Sequence, residues 1–78
     1  MPAIVVRYWA GARRAAGVDG EPLEVATIAE LRAVLAARPG MAGISEVASF
    51  LVDGQHAGED AALPAGAEVD VLPPFAGG

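Results

Sequence analysis

The 78 residues contain no cysteine, no lysine and a single histidine. Without cysteine there is no disulfide scaffold and no thiol nucleophile, and with His56 as the only imidazole there is no zinc module. All five basic residues are arginine (Arg7, Arg13, Arg14, Arg32 and Arg38), so the N-terminal amine of Met1 is the only primary amine and no side chain offers one for isopeptide linkage of the chain to itself. Against ten acids they leave a net charge of −5. That sign is wrong for gathering a phosphate backbone or an anionic membrane, so neither nucleic acid nor membrane is expected as a partner. A basic surface on another protein is the electrostatic match. Long apolar runs are also missing: Ala3 to Val6 and Tyr8 to Ala10 are divided by Arg7, far short of a membrane span. No basic segment precedes an apolar stretch and cleavage site, and a cytoplasmic location is expected.

What remains is 54% hydrophobic residues in a chain short enough that nearly all of them are committed to one core. A deep private active-site cavity is not expected. Ile4 to Trp9 is β-branched or aromatic apart from Arg7, and alternation puts Ile4, Val6 and Tyr8 on one face of a first strand. Gly11 to Gly17 reads as a short helical turn or loop, and Leu23 to Val25 as a second strand, with Pro22 tolerable only at its start or edge. Thr27-Ile-Ala-Glu30 predicts a reciprocal capping box. Ile28, Leu31 and Leu35, with Val34 beside them, give the helix that follows one apolar stripe, ended by Pro39 and Gly40. Met41 to Ser49 reads as irregular with at most a turn of helix. Phe50 to Val52, Asp53-Gly54 and Gln55-His56 predict a two-residue hairpin, and Leu63 to Gly66 a turn. Glu68 to Leu72 predicts a last strand with Val69 and Val71 inward.

This order is α+β. With the first and last strands as parallel neighbours and the helix across one face, it gives a β-grasp, or ubiquitin-like, roll, one of several topologies that the periodicity permits. The expected sheet is mixed, with four to five strands on one main helix. Residues 1–72 form the domain, and 73–78 an extended tail.

Conventional catalytic parts are few. His56 reads as a solvated hairpin residue, because a lone imidazole gains catalytic meaning only from a positioned partner. Thr27 has a capping role, Tyr8 looks like core, and no triad can be assembled with Ser45 or Ser49. Glu59-Asp60 read as solvated, and Asp53, Glu59, Asp60, Glu68 and Asp70 as one acidic face. No spacing suits a metal, and Gly11, Gly17 and Gly20 match no phosphate loop. No cofactor is expected on the chain itself.

The tail, Pro73-Pro74-Phe75-Ala76-Gly77-Gly78, is different. Its prolines fix φ and remove two donors, so the chain leaves the sheet as a stiff stem that can project roughly 20 Å at about 3.3 Å per residue. After Phe75 the side chains shrink to a methyl and then to hydrogen. Such a taper passes through a slot that admits backbone alone.

Arg7-Tyr8-Trp9-Ala10-Gly11-Ala12-Arg13, Ala16-Gly17, the Asp53-Gly54 turn and above all the Pro-Pro-Phe-Ala-Gly-Gly ending resemble the MoaD/ThiS family of ubiquitin-like sulfur carriers, nearest its molybdopterin synthase branch. Trp9 stands where the family more often has phenylalanine. The resemblance implies a carrier and cosubstrate with no active site of its own. Its Gly78 carboxylate would be adenylated by an ATP-dependent, E1-like activating enzyme and converted to a thiocarboxylate with sulfur from a desulfurase or rhodanese. Gly77 would give slender access, and Phe75, with Pro74, Pro73 and Ala76, would anchor the stem in partners. The implied acceptor complex is the large subunit of molybdopterin synthase, in the family's usual assembly of two small and two large subunits, acting on a pyranopterin. Thiamine thiazole, cysteine and specialised thio-metabolites are alternative destinations of the sulfur, and isopeptide modification of proteins is a further alternative. Val5, Trp9 or Phe50 would supply an apolar docking patch, unless they belong to the core.

Overall fold

The computed structural model describes residues 3–74. The first strand, β1 (Ile4–Tyr8), buries Ile4, Val6 and Tyr8 and turns Val5 and Arg7 outward, as its alternation predicts. A short helix, α1 (Ala10–Ala16), stops at Gly17 and leads to β2 (Gly20–Leu23). The main helix α2 (Ile28–Ala36) and a shorter α3 (Ala42–Val47) precede β3 (Ser49–Val52) and β4 (Gln55–His56), and β5 (Glu68–Leu72) closes the fold.

The five strands lie in the order β2-β1-β5-β3-β4. Only β1 and β5 run parallel; the other neighbours are antiparallel. This is the mixed sheet of a ubiquitin-like β-grasp fold, and among the described residues three helices accompany it where a single main one was expected. The last strand therefore occupies the middle of the sheet, and whatever follows Leu72 departs from its centre.

One face of the sheet receives α2. Ile28, Leu31 and Leu35 are fully buried against Ile4, Val6, Phe50, Val69 and Val71. Removing each such side chain from water is worth about 1.5–3 kcal/mol, and this layer is the principal source of stability. Val34 lies outside it and is exposed.

Three local expectations need correction. The second strand begins at Gly20 rather than Leu23, with Pro22 inside it opposite Val5. Because β2 is an edge strand, the missing N–H of Pro22 costs no ladder bond. Gly20 is required by close approach: a Cβ there would lie 2.6 Å from the carbonyl oxygen of Val6. The capping box is displaced on one side. Thr27 Oγ1 accepts from the N–H of Glu30 at 3.2 Å, but the Glu30 carboxylate accepts from the N–H of Ala26 at 3.0 Å, not from that of Thr27. Finally, Ala42–Val47 is helical, with Met41 and Ala48 as its caps. Its inward positions are Met41, Ser45 and Ala48, while Val47 is exposed. The polar Ser45 masked this stripe in the sequence, and its hydroxyl is satisfied inside the fold by donating to the carbonyl of Ala42 at 2.9 Å.

The hairpin turn is as read. Asp53 (φ 49°) and Gly54 (φ 88°) both take positive φ, the geometry of a two-residue turn that follows strand twist. Asp53 Oδ1 also accepts from the backbone N–H of Glu68 at 3.0 Å, tying the turn to the start of β5.

Candidate functional site at the root of the tail

The tail leaves the sheet where β1 and β5 end together. The N–H of Trp9 donates to the carbonyl of Val71 at 3.3 Å, Leu72 is half-buried, Pro73 is half-buried and Pro74 is exposed. Two consecutive prolines without N–H groups cannot extend the ladder, so pairing stops for a covalent reason. Phe75, Ala76, Gly77 and Gly78 lie outside the described residues.

Beside this root, on the face away from α2, a polar cluster centres on Asp70. Its Oδ1 accepts from Arg7 Nε at 2.8 Å and from Trp9 Nε1 at 3.0 Å, and Oδ2 receives Arg7 Nη2 at 3.5 Å. The guanidinium stands 5.7 Å from the centroid of the Trp9 indole, within cation–π range. Asp70 is buried while Arg7 and Trp9 are exposed, so the carboxylate is enclosed beneath the two groups it orients. Burial by itself would raise its pKa. The hydrogen bonds from Arg7 and Trp9 and the charge of Arg7 outweigh that effect and hold it below the usual carboxylate range.

A second network joins the sheet to the end of α2. The buried phenol of Tyr8 donates to Glu21 Oε2 at 2.6 Å, and Arg38 grips both oxygens of that carboxylate. Burial, reinforced by Glu21, pushes the phenol well above its ordinary range. Arg38, first, and Tyr8 hold Glu21 down against its own desolvation. This phenol stays protonated and structural. Arg32 braces the fold in a comparable way. It pairs with Glu59 at 2.9 Å, donates to the carbonyls of Ser45, Glu46 and Ala48 at the end of α3, and covers the Phe50 ring at 4.8 Å.

The supposed acidic face is thus divided. Asp70 is consumed by Arg7 and Trp9, Glu59 by Arg32, and Asp53 by the turn. His56 sits exposed on edge strand β4, at an open cleft that it lines with Val52, Asp53, Gln55 and Ala57. Phe50 is core, only 1% exposed, which removes it from the docking candidates and leaves Val5 and Trp9. Among the described residues, no group of three or more His, Cys, Asp or Glu converges as for a metal, and no helix is long and apolar enough to cross a membrane.

The Asp70 cluster escaped the sequence reading because its partners are more than sixty residues apart in the chain. The usable signal was the parallel pairing, which sets Arg7 directly opposite Asp70. Asp70→Asn keeps the volume but removes the charge. A carboxylate with depressed pKa contributes stability above its unfolded pKa and loses it as pH falls through the folded value. The variant is therefore expected to be about 1 kcal/mol less stable at neutral pH, with the gap closing below about pH 4. Urea denaturation at several pH values measures this, and a gap independent of pH would contradict the assignment.

Comparison with known proteins gives a consistent result. A model of the ThiS family matches residues 6–78. Among solved structures, a Pyrococcus furiosus protein described as molybdopterin converting factor subunit 1 superimposes with a TM-score of 0.81 at 26% identity, covering 96% of this chain and all of the other. Small archaeal modifier protein 1 (SAMP1) of Haloferax volcanii gives 0.78 at 26% identity, covering 97% of this chain and 99% of that one. Subunit 1 in the Helicobacter pylori complex of molybdopterin-converting factor subunits 1 and 2 gives 0.76 at 21% identity, with 97% and 99% covered; that likeness concerns the fold. No curated protein gives a significant match.

Proposed function

Because this chain belongs to the ThiS family, within the MoaD/ThiS group of ubiquitin-like sulfur carriers, we propose that it carries sulfur on the C-terminal carboxylate of Gly78. The observation that carries this reading is that the family match extends to residue 78, through the whole tapering tail. The carboxylate oxygen attacks the α-phosphorus of ATP on an activating enzyme, and pyrophosphate leaves. The terminal sulfur of a persulfide on a desulfurase or rhodanese then replaces AMP at the acyl carbon, and a thiol reductant attacks the other sulfur of the resulting acyl disulfide, so that a disulfide forms and the thiocarboxylate is released. A free carboxylate resists such attack by resonance, and the mixed anhydride divides one hard step into two. Transfer to the acceptor and hydrolysis return Gly78 to its starting state.

The chain's own part is presentation. Strand β5 fixes the departure point, Pro73 and Pro74 stiffen the exit, and Gly77 keeps the end slim enough for both the activating enzyme and the acceptor's pocket. No general base is required of this chain. We assign the acceptor to molybdopterin synthesis, in complex with a large synthase subunit, supported by the descriptions of the Pyrococcus and Helicobacter structures. Incubation with a cognate activating enzyme, ATP and a sulfur donor is expected to exchange one terminal oxygen for sulfur, read by intact mass. An unchanged mass with every activating enzyme of the same cell would count against the carrier.

The similarity to small archaeal modifier protein 1 favours a second reading, in which Gly78 forms an isopeptide bond with lysines of other proteins. Adducts of Gly78 in cell extracts would favour the modifier, and a free thiocarboxylated form the carrier.

A further inference from the structure

Every cationic side chain on this chain is a guanidinium. Three of the five are explained by the fork they present. Arg7 spans both oxygens of Asp70, Arg38 both oxygens of Glu21, and Arg32 joins Glu59 to the last carbonyls of α3. An ammonium has no such planar array. Arg13 and Arg14, on α1, play no equivalent part. Both are exposed. Arg13 has a distant 3.8 Å pairing with the exposed Asp19, and Arg14 forms no hydrogen bond or ion pair among the described residues. Lysine and arginine have nearly equal helix propensity, so the fold would accept lysine at either position.

Their location supplies a chemical reason against it. Helix α1 begins one residue beyond the Trp9–Val71 hydrogen bond and packs on β5, so it borders the end of the sheet from which the tail departs. The helix is about 10 Å long. Six residues beyond Leu72 reach as far as roughly 20 Å, a radius that takes in both arginines.

Resting on the carrier reading above, we propose that the lysine-free surface, and the α1 rim in particular, insulates the activated terminus: it denies the Gly78 acyl group a side-chain amine beside the root of the tail. In the adenylate, the acyl carbon bears AMP as leaving group. An amine within reach would attack that carbon, form a C–N bond, expel AMP and release its proton to water. The resulting amide is not reversed, and the carrier would be lost. An amine tethered this closely acts at an effective concentration in the millimolar range. With a pKa of about 10.4, a lysine would be about 1% free amine near pH 8.5, whereas an arginine, with pKa above about 12.5, presents almost none. The α-amine of Met1 precedes the start of β1, whereas the tail leaves beyond the other end of that strand. The side-chain nucleophiles do not compete. Tyr8 is buried and bonded to Glu21, and an acyl group on His56 would return to carboxylate by hydrolysis.

The test compares the full-length wild type with Arg13→Lys and Arg14→Lys. Each is incubated with the cognate activating enzyme and ATP, without a sulfur donor, while pyrophosphate release and intact mass are followed. All three chains are expected to release pyrophosphate and the wild type to keep its mass. At least one variant should form a species lighter by one water, an amide between the introduced amine and Gly78, whose rate rises about tenfold per pH unit below the amine pKa. Pyrophosphate release with no lighter species from either variant overturns the insulation and leaves the carrier reading standing. A wild type that itself loses water also overturns it. No pyrophosphate release from any chain overturns the carrier reading.

Discussion

A chain lacking Gly77 and Gly78 is expected to lose thiocarboxylate formation entirely while melting where the intact protein melts. The two outcomes separate because the two properties reside in different residues. The core is complete at Val71, and α2, β1, β3 and β5 supply most of its large buried side chains. Changes away from such a core ordinarily alter stability by less than about 0.5 kcal/mol. The chemistry has no such reserve. No cysteine exists to take over, and His56 lies on the far edge strand β4. A single residue added after Gly78 should be nearly as damaging, since it moves the carboxylate and puts a side chain where the taper demands none. Intact-mass analysis after incubation with activating enzyme, ATP and a sulfur donor reads the chemistry, and thermal unfolding reads the fold. Sulfur loading of the shortened chain would refute the assignment.

Phe50→Ala should produce a larger loss of stability than Asp70→Asn or any change in the tail. The ring is 1% exposed, lies in the α2-facing layer and is covered by the Arg32 guanidinium. Emptying such a site costs about 3–5 kcal/mol, against a total of roughly 4–12 kcal/mol for a domain of this size. About a quarter or more of the stability is then lost. Phe50→Leu keeps most of the volume and should cost less than about 1.5 kcal/mol. Urea midpoints for the pair measure the difference. A Phe50→Ala midpoint near that of the wild type would mean that the ring does not fill the core.

The fold was legible where period and punctuation agreed. Ile4, Val6 and Tyr8 alternate without interruption, Ile28, Leu31 and Leu35 keep helical spacing, and Asp53-Gly54 tolerates the turn it makes. Legibility failed where tertiary pairing overrode the local signal. Pro22 argued against a strand that edge position allows, and Ser45 concealed a helical stripe because its partner, the Ala42 carbonyl, appears only once the helix exists. In the site, the taper of the tail was readable from the order of its residues, and the chemistry proposed for it came from the resemblance. The Asp70 cluster was not, because its members meet only after β1 and β5 have paired. Counting Asp70 among exposed acids followed from a residue-by-residue view in which no arginine was near.

Placing β5 between β1 and β3 also has a consequence for synthesis. The hairpin of β1 with β2 and the helices can emerge from the ribosome early, yet the central slot stays empty until Leu72 has cleared the exit tunnel. Pairing so distant in the chain is slow to form, and an incomplete nascent polypeptide has neither a closed core nor an end to offer. Until then the inner edges of β1 and β3 have no partner, and the sheet closes in the last step of synthesis rather than by growth from one side.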